Sequence, residues 1–255
     1  GANPNFVTNT APTDGTLRTF TEALMRSAAL SAYTNGGNPS LGLVNAFNKR
    51  MFEQEKLDAV WVETTTHARV LICMQALQAG LDVYAEKPIT LTIREGRLMV
   101  EATRKYKRIF QSGSQQRSDW TDIEGCKFIR KGGLGKISKV IAYNYPSPWE
   151  CALPAQPVPD ELDWEMWCGP NPIVPFNQDL YLPRANPGWL SFRPYSGGEM
   201  TGWGAHGYDQ IQCALGMDET GPVAIDPPKE GESGLKFTYA NGVTMFHGGP
   251  SGCTF

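Results

Sequence analysis

The sequence contains no apolar run that could cross a membrane. A membrane-spanning helix needs roughly 20 consecutive apolar residues, and no stretch of the chain approaches that length. The first residues also lack the charged and apolar regions of a signal peptide. We therefore expect no membrane as a partner. The cytoplasm is the default compartment, although a removed targeting segment would leave no trace in this chain.

Nothing in the charge pattern indicates binding to nucleic acid. The chain has 23 basic and 26 acidic residues, a net charge of -3, and no long run of either sign. Proteins that bind nucleic acid or anionic membranes concentrate basic residues on one surface. Neither is therefore an expected partner, and a hydrophobic content of 41% is typical of a globular protein.

The cysteines lack the spacing of a metal site. No two of them form a Cys-x-x-Cys pair, and none has a histidine at ligand spacing. This pattern argues against both a zinc site and a disulfide scaffold. We expect no metal, and mostly buried free thiols. The six residues are Cys73, Cys126, Cys151, Cys168, Cys213 and Cys253.

Strands and helices alternate regularly between residues 57 and 113. Short apolar strands are predicted at 57–62, 81–85 and 109–113, and helices at 67–79 and from Thr90 or Thr92 to about 106. This order predicts βαβ units and a parallel sheet covered by helices, as in half of a doubly wound nucleotide-binding fold. Upstream, helices are predicted at 16–33 and 40–55, and residues 1–57 are atypical of that fold.

The pattern changes after residue 117. A helix is predicted at 119–130, an exposed-face strand at 136–145, a helix at 199–215, and a hairpin at 236–247 around Asn241-Gly242. The loop between them holds a tryptophan-rich patch, 162–167, that is either a packed loop or a substrate wall. We predict a Rossmann-like domain over 1–117 and an incomplete α+β domain with an open, mostly antiparallel sheet over 118–255.

The first candidate site is Glu86-Lys87-Pro88. Proline has no N–H for a central strand, so the strand must stop at Glu86-Lys87. Ligands bind at the carboxyl ends of parallel strands, where a lysine can hold a substrate hydroxyl or share its proton. The alternative is a solvated charged pair in a turn.

Two further groups fall at plausible positions. Thr64-Thr65-Thr66-His67 follows the strand at 57–62 and can present hydroxyls at a helix N-terminus. His206 shares one predicted helix face with Glu199, Gly202 and Asp209, and could serve as a general base beside a carboxylate. The alternative for either histidine is a structural residue in the interior of the fold. His247, on the hairpin, is interpreted as structural.

These segments together resemble a known family. Ala85 to Pro88, the threonines before His67, 113–117 and 197–209 are similar to the glucose–fructose oxidoreductase, inositol dehydrogenase and MocA (Gfo/Idh/MocA) family, over about residues 56–255. The loop segment 162–170 is similar to one branch of it. The resemblance implies a Rossmann domain followed by an open-sheet domain. It also implies hydride transfer between NAD or NADP and a secondary alcohol of a sugar, inositol or related polyol.

The resemblance also implies roles for individual residues. Lys87 and His206 become the catalytic pair, with Lys87 contacting cofactor and substrate and His206 acting as acid/base. Thr64, His67, Glu86 and Gln116 are the further cofactor-binding candidates. Substrate-binding candidates, besides the catalytic pair, are Arg117, Trp203 and Asp209. A homo-oligomer is implied as well, and because some relatives are exported, the periplasm is an alternative compartment.

Two departures from the family pattern keep other functions open. Residues 1–57 contain no Gly-x-Gly-x-x-Gly after an opening strand, and Asn35-Gly36-Gly37 lies between predicted helices. That fingerprint brings backbone amides to the pyrophosphate, so its absence predicts weakened cofactor binding. Gly202 occupies the position of the family's aspartate in Asp-x-x-x-His, where Glu199 or Asp209 could partly compensate.

The first alternative is an NAD-dependent glycosidase of the same family, which would turn over glycosides without net NADH. The second is a non-catalytic carbohydrate-binding or assembly protein that has lost the cofactor site. It would use an aromatic cleft of Trp164, Trp167, Trp189 and Trp203. The missing glycine fingerprint and Gly202 favour the non-catalytic protein, whereas the presence of both Lys87 and His206 favours an enzyme.

Overall fold

The computed structural model describes residues 6–8, 39–145, 150, 152–182, 188–230, 234–248 and 253–255. The predicted helix at 16–33 and Cys151 lie outside this part. The chain divides into two compact units, Gly1–Gly113 with Pro148–Gly197, and Ser114–Ser147 with Gly198–Phe255. The domain boundary at 117 stays a prediction. Within the described ranges, no helix is long and apolar enough to cross a membrane.

A four-stranded parallel sheet forms the centre of the first unit. Its strand order is β1-β2-β3-β4, with the strands β1 (Phe6–Thr8), β2 (Ala59–Val62), β3 (Asp82–Glu86) and β4 (Phe110–Gly113). Every neighbouring pair is parallel, which confirms the Rossmann-like sheet. The sequence did not predict β1, because three residues in a polar stretch are too short for a periodic signal.

Helices connect these strands close to the predicted bounds. They are α1 (Pro39–Gln54), α2 (Thr66–Gln78) and α3 (Ile93–Tyr106). Thr92 caps α3 in a capping box with Glu95, which satisfies two backbone N–H groups at the start of that helix. The N-cap residue of α2 is Thr65, and its side chain makes no capping bond.

The core of the first unit lies between α2, α3 and the parallel strands. Its members are apolar and almost fully removed from solvent, so their burial is the main favourable contribution to folding of this unit. Gly80, with φ +83°, ends α2 and turns the chain into β3. The buried core residues are Val60, Val62, Ile72, Cys73, Ala76, Leu77, Leu81, Val83, Ala85, Met99 and Ala102.

Residues 152–182 and 188–197 add a second, aromatic core to the same unit. They contain α5 (Trp164–Cys168), α6 (Gln178–Tyr181) and a 3₁₀ turn at Trp189–Ser191. Trp164 is buried, stacks on Trp167 with ring centroids 4.4 Å apart, and donates its indole N–H to the Val174 carbonyl at 2.6 Å. The tryptophan patch is therefore a packed loop.

The described residues of the second unit form an open, mixed sheet and three α-helices. The sheet order is β6-β7-β8-β5-β9, and of its neighbouring pairs only β5 with β8 is parallel. This confirms the predicted open, mostly antiparallel sheet. The strands are β5 (Lys139–Ala142), β6 (Ala224–Asp226), β7 (Lys236–Thr238), β8 (Thr244–His247) and β9 (Cys253–Thr254). The helices are α4 (Trp120–Arg130), α7 (Glu199–Gly202) and α8 (Gly204–Ala214).

The predicted single helix at 199–215 is wrong at Trp203, where α7 ends and α8 begins. The buried Glu199 carboxylate accepts a hydrogen bond from the Trp203 backbone N–H at 3.2 Å. Two nearby glycines, Gly202 and Gly204, weaken helix propensity at this point. Gly204 also needs to be a glycine, because a Cβ there would lie 2.9 Å from the Tyr208 ring and 3.2 Å from the Asn144 side chain.

We predict that Gly204→Ala and Gly207→Ala shift stability in opposite directions. Gly204→Ala is expected to lower the free energy of unfolding by about 1–3 kcal/mol, because the ring and amide must move. A Cβ at Gly207 meets only Cys253 Sγ at 3.8 Å, so Gly207→Ala is expected to raise stability by roughly 0.5–1 kcal/mol. Urea unfolding followed by circular dichroism tests both, and equal effects of the two variants would contradict the prediction.

Candidate functional site

The carboxyl ends of β2, β3 and β4 lie side by side. Strand pairing places Val62 opposite Ala85, and Glu86 opposite Gly113. The turns after β2 and β3 therefore leave the sheet at the same edge. In parallel α/β sheets this edge is where ligands bind, and it carries the first-unit candidates Thr64, His67, Glu86 and Lys87.

Glu86 and Lys87 end β3 as the sequence predicted. The Glu86 carboxylate accepts a hydrogen bond from the Lys87 backbone N–H at 3.1 Å, and the Lys87–Pro88 peptide is cis. A Cβ on Gly113 would lie 3.0 Å from Glu86 Oε1 and 3.2 Å from the Ala85 carbonyl oxygen. The end of β4 must therefore be a glycine for the two strand ends to approach this closely.

Buried hydroxyls lie in the turn after β2 and at the first residue of α2. Thr64 Oγ1 and Thr66 Oγ1 are both buried, and neither has a hydrogen-bond partner among the described residues. A buried hydroxyl without a partner is costly. These two hydroxyl groups are therefore able to form hydrogen bonds with a ligand at this edge.

His67 occupies the interior of the first unit. Its Nε2 lies 3.0 Å from the Trp167 carbonyl oxygen, and its ring packs edge-on against Tyr195 with centroids 5.2 Å apart. Burial lowers the pKa of His67 from 6.5 to about 4, although the Trp167 carbonyl opposes that shift. The imidazole is therefore neutral at pH 7. Its proposed contact with a cofactor stays a prediction.

Arg69 is a residue of this edge that the sequence analysis missed. It is 4% exposed, and its guanidinium donates to the backbone carbonyls of Thr64 and Pro88. Burial lowers the pKa of Arg69, and Glu86 and Glu63 oppose the shift. The sequence does contain a signal that could have identified this residue, because Arg69 is the single charged residue in α2.

In the second unit, three of the candidates line one cavity. Gln116, Trp203 and His206 share its wall with Tyr143 and other side chains of this unit, and its volume is about 300 Å³. That volume is at the lower end of the range for small-molecule sites, about 300–1,000 Å³. His206 is buried, and its ring lies 5.7 Å from the Trp203 ring. A buried histidine in a cavity of this size could exchange a proton with a small molecule.

Two other candidates of this unit bind each other. Arg117 donates to both carboxylate oxygens of Asp209, from Nε at 2.6 Å and from a terminal nitrogen at 2.8 Å. Asp218 accepts a further bond from Arg117 at 2.8 Å and one from Arg130 at 2.7 Å. Hydrogen bonding to Asp209 raises the pKa of Arg117. The bidentate pair joins the residues before α4 to α8, and a role for either residue in substrate binding stays a prediction.

Because Gly202 stands where the family pattern has an aspartate, Glu199 and Asp209 are the two carboxylates that could orient His206 instead. Both oxygens of Asp209 are engaged by Arg117, which leaves this side chain poorly available to orient His206. Glu199 is buried one helix upstream, where its carboxylate accepts the Trp203 N–H. Glu199 therefore fixes the backbone from which the Trp203 and His206 side chains extend.

The described part of the chain contains no group of three or more histidine, cysteine or acidic side chains arranged to hold a metal. Five described cysteines are free thiols. Cys73, Cys126 and Cys168 are buried, and burial raises the pKa of Cys73 to about 12. The buried thiols belong to the packing of the two units.

Family models match most of the chain. The model described as "Oxidoreductase family, NAD-binding Rossmann fold" matches residues 17–114, and "Oxidoreductase family, C-terminal alpha/beta domain" matches residues 123–248. Both are models of the Gfo/Idh/MocA family, and they follow each other in the predicted order. The chain belongs to the Gfo/Idh/MocA oxidoreductase family. None of the curated proteins matches it.

Solved structures of this family share the fold. An aldose–aldose oxidoreductase from Caulobacter crescentus, complexed with glycerol, is 20% identical, with 80% of this chain and 53% of that chain covered and a TM-score of 0.51. The WlbA dehydrogenase from Bordetella pertussis, in complex with NADH and UDP-GlcNAcA, is 16% identical, with 77% and 52% covered and a TM-score of 0.55.

A myo-inositol 2-dehydrogenase from Lactobacillus plantarum is 18% identical, with 78% and 52% covered and a TM-score of 0.50. The chain therefore spans about half the length of these solved Gfo/Idh/MocA relatives. At such low identity they show the fold of the chain and leave its substrate open.

The first unit can be tested against the nicotinamide cofactor that a Gfo/Idh/MocA protein is expected to bind. The described residues fit such a cofactor in that two unpartnered threonine hydroxyls, Glu86 and Lys87, all groups able to form hydrogen bonds, follow the parallel strands at one edge. The phosphate end depends on the segment after β1, and residues 9–38 lie outside the described residues. The absent glycine fingerprint therefore stays the main departure from the family pattern.

We predict a pH dependence of stability that comes from His67. The proton binds more weakly to His67 in the folded chain, so lowering the pH from 6.5 toward 4 favours the unfolded state. Between pH 7.0 and 4.5 the free energy of unfolding should fall by about 2 kcal/mol through this group. His67→Gln should lose that component, while His247→Gln should keep it. Urea unfolding at both pH values measures the difference, and equal slopes for wild type and His67→Gln would rule the effect out.

Proposed function

We propose that this chain is the catalytic part of an NAD(P)-dependent oxidoreductase that transfers hydride at a secondary alcohol carbon of a sugar, inositol or related polyol. The observation that supports it most is His206, buried in the wall of a small-molecule-sized cavity beside Trp203 and Gln116. The family supports the redox class. The printed names of the aldose–aldose oxidoreductase and the inositol dehydrogenase support the substrate class.

In this proposal each residue has a distinct task. Nε2 or Nδ1 of His206 takes the hydroxyl proton of the alcohol, and burial beside Trp203 keeps bulk water from competing for it. Lys87 holds the substrate hydroxyl and favours its deprotonated form. When bound, the nicotinamide supplies the hydride acceptor. Thr64 and Glu86 offer hydrogen-bonding groups on the cofactor side.

The non-catalytic carbohydrate-binding alternative loses part of its support. It relied on an aromatic cleft, but Trp164 is buried, and Trp167 stacks on it. These two rings therefore offer little free face to a sugar. No observation in the structure favours the glycosidase alternative, and product analysis separates it from a dehydrogenase, because a glycosidase releases its leaving group without net NADH.

A homo-oligomer is also a proposal. Its support is the exposed edge strand β6, in which Ile225 is 58% exposed and the neighbouring Val223 is 66% exposed. An exposed apolar edge strand tends to pair with another chain. Sedimentation equilibrium of the wild type and of Ile225→Lys would show whether this edge is used.

We predict saturable binding of NADH or NADPH and, with NAD⁺ or NADP⁺ as the hydride acceptor, turnover of a polyol that depends on His206. Nicotinamide fluorescence gives the binding curve, and a sugar and polyol screen gives the substrate. His206→Asn should lower kcat about 100-fold or more, as expected for loss of a general acid/base, while His247→Asn should keep it. Lys87→Ala should abolish turnover.

Two outcomes would contradict the proposal. Absence of binding at millimolar NADH and NADPH would remove the cofactor and with it the enzyme class. Full turnover in His206→Asn or Lys87→Ala would leave the activity but refute the assignment of these residues.

A further inference from the structure

Arg69 is a buried charge where the fold of the first unit calls for an apolar residue. It lies in the first turn of α2, a helix whose other buried members include Ala68, Ile72 and Ala76. Its side chain is 4% exposed, and its Nε has no hydrogen-bond partner among the described residues. Removing a guanidinium from water costs several kcal/mol before any partner is counted. Stability alone does not account for an arginine at this position, since apolar replacements of buried charges are often neutral or stabilising.

The partners of Arg69 are backbone carbonyls in two separate turns. One terminal nitrogen donates to the Thr64 carbonyl, in the turn after β2. The other donates to the Pro88 carbonyl, in the turn after β3. Each carbonyl lies on or directly beside a candidate site residue, because Thr64 carries one of the unpartnered hydroxyls and Pro88 follows Lys87.

Arg69 therefore links two turns that are separate in the sequence. Each leaves its strand at the carboxyl edge and leads into its own helix, α2 or α3. Glu63 and Glu86, one at each strand end, act favourably on the Arg69 charge. The guanidinium is planar and rigid, and its two terminal nitrogens hold fixed directions. It therefore sets the distance between the Thr64 turn and the Lys87 turn.

We propose that Arg69 is a positioning residue that fixes the cofactor-side turn at Thr64 relative to the catalytic Lys87, without itself touching substrate. The inference rests on the proposed function. A displacement of about 1 Å at a catalytic group can cost roughly 100-fold in rate. Loss of the two Arg69 hydrogen bonds is therefore expected to lower kcat more than it changes KM.

Arg108 provides a matched control at the amino-terminal ends of the strands in the same sheet. It donates to the Gly80 carbonyl at 3.0 Å, before β3, and to the Tyr106 and Lys107 carbonyls at 3.2 and 3.0 Å, before β4. It is thus a second arginine that links two connections of the same unit. It is exposed, and it lies away from the strand ends that carry the candidates.

The test compares Arg69→Lys, Arg69→Met and Arg108→Met with wild type in hydrogen exchange. In the Arg69 variants, amide exchange should rise at least tenfold at 64–66 and 89–91 and stay unchanged at the strand centres, 60–61 and 83–84. Arg108→Met should leave 64–66 and 89–91 unchanged. Because Arg69→Lys keeps the charge, it serves if Arg69→Met does not fold.

The activity arm uses NAD⁺ and the polyol found in the screen, because oxidation of the alcohol needs an oxidised nicotinamide as hydride acceptor. Arg69→Lys should lower kcat about 10- to 100-fold, with KM changed less than threefold, and Arg108→Met should keep both constants. Exchange that rises equally through the whole unit would assign Arg69 to stability alone and overturn the inference, as would unchanged exchange or an unchanged kcat. If the wild type binds no NADH, the proposed function is refuted instead. The hydrogen-exchange result then still tests, separately, whether Arg69 fixes the two turns relative to each other.

Discussion

Parallel backbone pairing of β2, β3 and β4 is the constraint on which the first unit depends. The register sets Glu86 opposite Gly113 and brings the ends of the strands to one edge. Once that register is fixed, the residues that follow each strand must share this edge, whatever their own preferences. The close approach at Gly113 shows how little room the register leaves, because a single Cβ there would press on the neighbouring strand.

Burial has opposite consequences for the two basic side chains in the first turn of α2. His67 can lose its proton, and burial lowers its pKa to about 4, so it packs as a neutral ring among aromatic side chains. Arg69 keeps its charge, and two carbonyls and two nearby carboxylates compensate for the lost water. A helix turn that the sequence presents as a candidate ligand surface is therefore mostly internal structure.

In the second unit, the helix break at Trp203 determines the surroundings of His206. A continuous helix would place Glu199, His206 and Asp209 along one face. Instead, Glu199 satisfies the Trp203 N–H at the break, and Asp209 is held by Arg117. His206 is left in the wall of a cavity with Trp203. The two carboxylates are thus engaged by the Trp203 backbone and by Arg117, and neither is shown to contact His206.

The sequence by itself determined the fold class, the family, and most elements between 40 and 247, because hydrophobic periodicity, caps and turn residues are local signals. It also placed Lys87 at a strand end, since proline stops a strand wherever the chain lies. Only the tertiary structure decided the pairing of Arg117 with Asp209 and the burial of Arg69. These depend on residues brought together from distant parts of the chain, and no periodicity records which partner a charged side chain will meet.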